Sequence, residues 1–238
     1  MRVLDLFSGL GGWSAAFKDR GHEVTTIDLD YRFNPTYCRN IGNIQDLSEY
    51  GTFDIILASP PCQTFSMAAI YLNWEKGKPS SVKVKSAIQL VEHTQKLLKE
   101  SNPSFWVMEN PHGMLRKIIG EPETIVDYCQ YGMPYKKPTD LWGTLPASFT
   151  ALRCTDKKRH PSWWRSKEDN DIILKDRHLD IHHEYDFMFQ PEEVRIRAAR
   201  INSNSNSHDP YSSALRAIVP YNLSLSMCQA AERELMSD

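Results

Sequence analysis

Short apolar runs that close on polar or glycine-rich breaks punctuate the first half of the chain. Residues 3–7 (Val-Leu-Asp-Leu-Phe) predict a first strand, and Ser8-Gly-Leu-Gly-Gly12 predicts a tight glycine turn. Residues 13–20 predict a helix that stops at Gly21. Residues 23–27 predict a second strand, which ends in Asp28-Leu-Asp30. The run at 53–58 has the pattern of a strand buried in a parallel sheet. Pro60 and Pro61 then stop it, because proline cannot continue a strand ladder. Residues 86–100 predict an amphipathic helix with Ile88, Val91, Leu97 and Leu98 turned to the core. Phe105-Trp-Val-Met predicts another buried strand, closing on Glu109-Asn110-Pro111. The C-terminal stretch to Glu234 predicts a helix with Pro220 in its first turn. Strands alternating with helices in this way imply an α/β fold, a mostly parallel twisted sheet with helices on both faces. No internal repeat is visible.

At 238 residues the chain suits one substantial core, or one core with a small appendage. Its 41% hydrophobic and 24% charged residues are ordinary for a soluble globular protein. A net charge of −2 and a pI near 6.4 do not by themselves favour a nucleic-acid partner, but the clustering of charge matters more than the sum. Five cysteines without paired spacing suggest a reducing compartment. The N-terminus lacks signal-peptide architecture and no apolar run approaches membrane-spanning length, so a cytoplasmic protein away from the membrane is expected.

The candidate chemistry gathers where the strands end. Cys62, on a stiff Pro-Pro loop at a strand's carboxyl end, is placed where open α/β sheets bind ligands and suits a nucleophile. The other reading of that position is a packed free cysteine. The glycine turn lets backbone N–H groups approach a ligand, although many such turns only join a strand to a helix. Asp28 follows the turn in the register at which nucleoside-binding folds grip ribose hydroxyls, and this favours a binding role over an ordinary turn residue. Glu109, flanked by Trp106, Val107 and Met108, should be partly desolvated and biased towards its protonated form. Lys76, Lys78, Lys83 and Lys85 fall in a loop after Cys62, read either as a solvated surface or as a flap whose lysines meet phosphates. The same two readings stand for Lys157-Lys-Arg-His160 with Trp163-Trp-Arg165 and for Arg195, Arg197 and Arg200, where interleaved aromatics lean towards nucleic acid. Asn202-Ser-Asn-Ser-Asn-Ser207 reads as a flexible tether. Cys154, His160, His182 and His183 match no zinc spacing, so no metal is assigned.

Several of these stretches carry a resemblance. Ser59-Pro-Pro60-61-Cys62-Gln63-Thr-Phe-Ser66 resembles the catalytic loop of the C5-cytosine DNA methyltransferases. Asp5-Leu-Phe7-Ser8-Gly9-Leu-Gly11-Gly12 resembles that family's opening motif, which wraps S-adenosylmethionine. Gly42-Asn43-Ile44 is similar to its Gly-Asp-Ile element, which hydrogen-bonds the adenine amino group; Asn43 keeps an acceptor oxygen without the charge. Glu109-Asn110-Pro111 is similar to the family's Glu-Asn-Val. The segment from Gln130 to Thr139 resembles Tyr-Gly-x-Pro-Gln-x-Arg-x-Arg, with Tyr135 at the glutamine, Lys137 at the first arginine and Thr139 at the second. In the family that second arginine helps hold the target base. Near the C-terminus, Val219, Pro220 and Leu223 match the family's Gly-Asn-Ser-Val-Pro-x-x-Leu, whose following helix returns to complete the cofactor pocket.

The resemblance covers most of residues 1–140 and the C-terminal stretch. It implies a Rossmann-like methyltransferase fold, S-adenosylmethionine as cofactor and double-stranded DNA as partner. It implies a catalytic set of Cys62, Glu109, Asn110, Gln63 and Lys137. The cofactor residues it implies are Asp5, Phe7, Ser8, Gly9, Gly11, Gly12, Asp28, Asn43, Ile44 and Pro60. The organisation expected is a catalytic and cofactor-binding domain at 1–143, a small insert at 144–210 as candidate target-recognition region, and a returning segment at 211–238. A monomer is expected, in a phage or restriction-modification setting. The reaction implied is methyl transfer to cytosine carbon 5, through a thiolate of Cys62 added at carbon 6 of a flipped base. Two competing readings are action on another pyrimidine substrate and a non-catalytic relative that keeps the cofactor fold. The retained pair Cys62 and Glu109 speaks against the second.

Overall fold

The computed structural model describes residues 1–67, 70–133, 135–156 and 217–237. The basic and aromatic segment 157–165, Arg195, Arg197, Arg200, the tether at 202–207 and the histidines at 160, 182 and 183 lie outside the described residues.

The strands are β1 (Arg2–Leu6), β2 (Glu23–Asp28), β3 (Tyr37–Cys38), β4 (Ile55–Ala58), β5 (Trp74–Glu75), β6 (Lys78–Pro79), β7 (Phe105–Pro111), β8 (Thr124–Asp127) and β9 (Pro138–Thr144). The helices are α1 (Ala15–Asp19), α2 (Ile70–Asn73), α3 (Val82–Glu100), α4 (Arg116–Ile119) and α5 (Tyr221–Leu235). Seven strands form one sheet in the order β3-β2-β1-β4-β7-β9-β8. The pairs from β3 to β7 are parallel, and β9 joins β7 and β8 antiparallel. The order reverses between β1 and β4, with β2 and β3 on one side and β7 on the other. Open α/β sheets bind ligands in the crevice beyond the carboxyl ends at such a switch.

Successive strand residues point to opposite faces, so a strand buried on both sides feeds two cores. Val3, Ile55, Leu57 and Val107 pack with Phe17 of α1 and Leu223 and Met227 of α5. Their neighbours Leu4, Ile56, Ala58 and Met108 pack with Val84, Val91, Leu97 and Leu98 of α3. The expected sheet covered on both faces is therefore what the apolar runs build.

Three boundaries differ from the sequence reading. Helix α3 begins at Val82, because the Ser81 hydroxyl caps it by accepting from the Val84 N–H at 3.2 Å. Lys83 and Lys85 thus stand on its first turn, and only Lys76 and Lys78 belong to the β5–β6 hairpin. Helix α1 is confined to Ala15–Asp19, since Ser14 is drawn back to Asp5 by a hydroxyl bond of 2.6 Å. Pro220 occupies the cap position ahead of α5 rather than its first turn.

Candidate active site

The turn after β1 is built from residues at positive φ. Phe7, Gly9 and Gly11 take φ of 59°, 49° and 80°, a region that costs a non-glycine residue energy and that favours glycine at the other two positions. The Gly11 N–H donates to the Ser8 carbonyl at 2.7 Å. The Gly9 N–H donates to Oδ2 of Asp28 at 2.8 Å, and Oδ1 of Asp28 accepts from the Asp30 N–H at 2.8 Å. Asp28 therefore organises the turn, and each carboxylate oxygen keeps a second lone pair for a ligand. A Cβ on Gly9 would meet nothing nearer than the Phe7 carbonyl at 3.9 Å, so the turn has open space on that side. A Cβ on Gly12 would lie 2.5 Å from the Val219 carbonyl, which shows how closely the C-terminal segment closes on the turn. Ser224 of α5 seals the junction: its hydroxyl donates to the Trp13 carbonyl at 2.5 Å and accepts from the Ala16 N–H at 3.2 Å.

Asp5 lies beneath this turn with Oδ2 on the Ser14 hydroxyl and Oδ1 buried without a partner among the described residues. Burial, opposed by the Ser14 bond and reinforced by Asp28, raises its pKa to about 7. Asn43 ends a 3-10 turn (Ile41–Asn43) capped by Asn40; Asn43 is exposed while Ile44 packs inward. An open glycine cradle, a carboxylate at the end of β2 and an exposed amide beyond it fit the donor and acceptor needs of S-adenosylmethionine. Of the expected cofactor residues, Asp5 and Ile44 are buried supports, and Pro60 belongs to the loop described next.

β4 and β7 are parallel neighbours with Ala58 opposite Met108, so the Ser59–Pro–Pro–Cys62 loop and Glu109 leave the same sheet edge. The loop is fastened at several points. The Asn110 amide donates to the Pro60 carbonyl at 2.9 Å, and Trp74 Nε1 donates to the Thr64 carbonyl at 2.7 Å. The N–H groups of Phe65 and Ser66 both donate to the Cys62 carbonyl at 3.0 Å. The Met114 N–H donates to the Phe65 carbonyl at 2.8 Å beside the Ser66–Gly113 bridge. Cys62 is half-buried and Gln63 exposed. Asn110, expected among the catalytic residues, is fully buried and uses its amide to hold the loop.

Glu109 is 3% exposed. Burial raises its pKa, while Lys137, the Tyr128 hydroxyl and Ser59 pull it down. Tyr128, at the end of β8, donates its hydroxyl to Oε1 of Glu109 at 2.9 Å. Lys137 Nζ lies 4.5 Å from the centroid of the Tyr128 ring, within cation–π range. Thr139 is fully buried with its hydroxyl on the Lys137 carbonyl, at 3.2 Å. The sequence reading missed Tyr128, because only the antiparallel β7–β9–β8 pairing brings it to Glu109, and no local spacing signals that pairing. It also missed Asp140, which sits opposite Asn110 and is fully buried against Arg116 through bonds of 2.6 Å from Nε and Nη2, with His112 at 3.2 Å. Breaking such a pair leaves a buried charge, at a cost of about 3–5 kcal/mol, so Arg116 is committed to structure.

Among the described residues, His22, Cys228 and Glu232 gather at the amino end of β2. Arg20 already binds the Glu232 carboxylate through Nε at 2.8 Å and Nη2 at 2.7 Å, so a guanidinium neutralises that group.

The description of the C-5 cytosine-specific DNA methylases matches residues 1–126. The chain is 30% identical over 178 residues to a Frog virus 3 protein named "Probable DNA (cytosine-5)-methyltransferase", covering 70% of this chain and 80% of that one. It is 28% identical over 170 residues to the type II methyltransferase M.DdeI of Desulfomicrobium norvegicum, but spans only 39% of that protein's length. A solved methyltransferase of Entamoeba histolytica shares the fold at a TM-score of 0.53 and 12% identity, with 99% of this chain and 98% of that one covered. The matched region holds the glycine turn, the Cys62 loop and Glu109 in the arrangement described above, and on that footing the chain belongs to the C-5 cytosine-specific DNA methylase family.

Proposed function

We propose that the protein transfers a methyl group from S-adenosylmethionine to carbon 5 of cytosine in DNA. The observation that supports this most directly is the shared edge of β4 and β7. There one carboxyl group of raised pKa and one fastened cysteine loop stand beside an open glycine cradle. When bound, S-adenosylmethionine supplies an electrophilic methyl group. The protein's own residues supply the rest. The Cys62 thiolate adds to carbon 6 of the base, and the ring electrons move to carbon 5 and towards nitrogen 3. Glu109, whose pKa burial raises, donates to nitrogen 3 as that charge develops. After methylation the carbon 5 proton passes to water, the thiolate leaves carbon 6, and nitrogen 3 returns its proton to Glu109, which restores the ring. Within a duplex neither carbon is reachable, so the base is flipped at a cost of about a few kcal/mol. Lys76, Lys78 and Lys117, which approaches the hairpin at Gly77, are placed to meet phosphates near the loop. Residues 1–143 and 211–238 act together as the catalytic unit, against which Leu145, Phe149 and Ala151 also pack; target recognition falls within residues 144–210, and the protein works as a monomer.

DNA containing 5-fluorocytosine tests the mechanism, because fluorine at carbon 5 blocks release of the thiolate. Wild type forms a denaturation-resistant adduct on this DNA, and not on RNA or free nucleotide of matching sequence. Cys62→Ala forms none and still titrates with S-adenosylmethionine. An adduct persisting in Cys62→Ala, or forming only on RNA, overturns the reading.

A further inference from the structure

We propose that Tyr128 is a positioning residue for Glu109: its hydroxyl holds Oε1 of the carboxyl group, so that the catalytic proton is carried on Oε2. The inference rests on the role given to Glu109 above. A buried carboxyl group is nearly symmetric, and without a fixed donor its proton can sit on either oxygen. The Tyr128 O–H, 2.9 Å from Oε1, breaks that symmetry, because an oxygen accepting a hydrogen bond along that line does not also carry the proton there. The phenol has no competing solvent, being fully buried. Its backbone is pinned as well, with the Tyr128 N–H on the Lys137 carbonyl at 3.2 Å and the Tyr128 carbonyl taking the Met133 N–H at 3.2 Å. Its ring is clamped from one side by the Lys137 ammonium at 4.5 Å. The Thr139 hydroxyl lies beside the phenol oxygen.

The hydroxyl also tunes the acid. A donor stabilises the carboxylate more than the neutral acid, so Tyr128 and Lys137 together hold down a pKa that burial pushes up. Among the described residues, the titratable groups facing Glu109 are Lys137, Tyr128 and Asp140, and the last is occupied by Arg116 and His112.

Tyr128→Phe keeps the ring, its packing and the face under Lys137, and removes only the donor. The Glu109 carboxyl carbon is followed by 13C resonance in glutamate-labelled protein, assigned by its absence in Glu109→Gln. The expected result is a rise of about half to one pH unit in its titration midpoint in Tyr128→Phe. The limb of the rate profile that Glu109→Gln abolishes should move up with it. The methylation kcat should fall roughly tenfold, with the KM for S-adenosylmethionine unchanged. In the Glu109→Gln background Tyr128→Phe should have no further effect on kcat. A midpoint unmoved in folded Tyr128→Phe overturns the positioning role. Methylation by Glu109→Gln at the wild-type rate is a separate failure, which removes Glu109 from the reaction while the carboxyl titration still reports on Tyr128.

Discussion

At the scale of single residues, the position most in question is the one where the basic pattern of the family thins out. Thr139 is buried beneath the site with its hydroxyl on the Lys137 carbonyl, so it cannot reach a base. Lys137 lies over Tyr128 and lowers the Glu109 pKa, which sets a cation beside the Glu109 carboxyl group. A lysine offers a point charge rather than a planar fork, so its hold on a base is looser than an arginine's. Lys137→Ala is expected to lower methylation roughly ten- to a hundredfold, with the S-adenosylmethionine titration unchanged. Thr139→Ala should change it by no more than about threefold. Full activity of Lys137→Ala on DNA would place the clamp on another cation. Cys62, Glu109 and the glycine turn were legible because each is announced by its neighbours: paired prolines, an apolar run, clustered glycines. Tyr128 was not, since it reaches Glu109 only through a non-local strand pairing. The Asn110 amide holds the Pro60 carbonyl, and a residue type alone cannot say whether an amide faces a substrate or a backbone carbonyl.

Among the elements, the parallel strands followed from apolar runs, while helix α3 began early because a capping serine outweighs a lysine-rich stretch that reads as loop. The paired prolines place the start of the Cys62 loop at the end of β4, but nothing local signals what fastens its far end. Its far end is held where Gly113 passes the Phe65 carbonyl so closely that a Cβ would lie 2.2 Å from that oxygen and 3.2 Å from its carbon. Backbone on both sides leaves no flexible group to move aside. Gly113→Ala is therefore expected to part the Ser66–Gly113 bridge and to loosen the Met114–Phe65 bond, while the Asn110 and Trp74 anchors persist. A displacement of about 1 Å at a reacting group can cost on the order of a hundredfold in rate. Steady-state kinetics should show kcat down roughly ten- to a hundredfold, and calorimetric titration should show S-adenosylmethionine affinity unchanged, because the glycine cradle is formed by β1 and β2. A normal kcat in folded Gly113→Ala would mean that the loop does not depend on this contact.

For the molecule as a whole, the cofactor end of the sheet places a buried carboxyl group at the junction of β1, the glycine turn and α1, and this sets a pH signature for stability. Asp5 titrates near 7 when folded and near 3.8 as an ordinary aspartate, chiefly because burial disfavours its charge, with Ser14 opposing and Asp28 adding to the shift. The folded protein thus holds a proton that the unfolded chain has released between those values. The contribution is full below about pH 3.8 and is lost as the pH rises through 7. Asp5→Asn removes the titration while an amide oxygen can still accept from Ser14. It also adds a constant cost, because its amide nitrogen replaces a buried oxygen that has no partner among the described residues. Thermal melts of wild type and Asp5→Asn between pH 4 and pH 8 separate the two effects. The wild type should lose roughly 5–10 °C relative to the mutant across that range, on top of any fixed offset. A difference that stays flat with pH would show that Asp5 is already ionised in the folded protein, with its ordinary pKa.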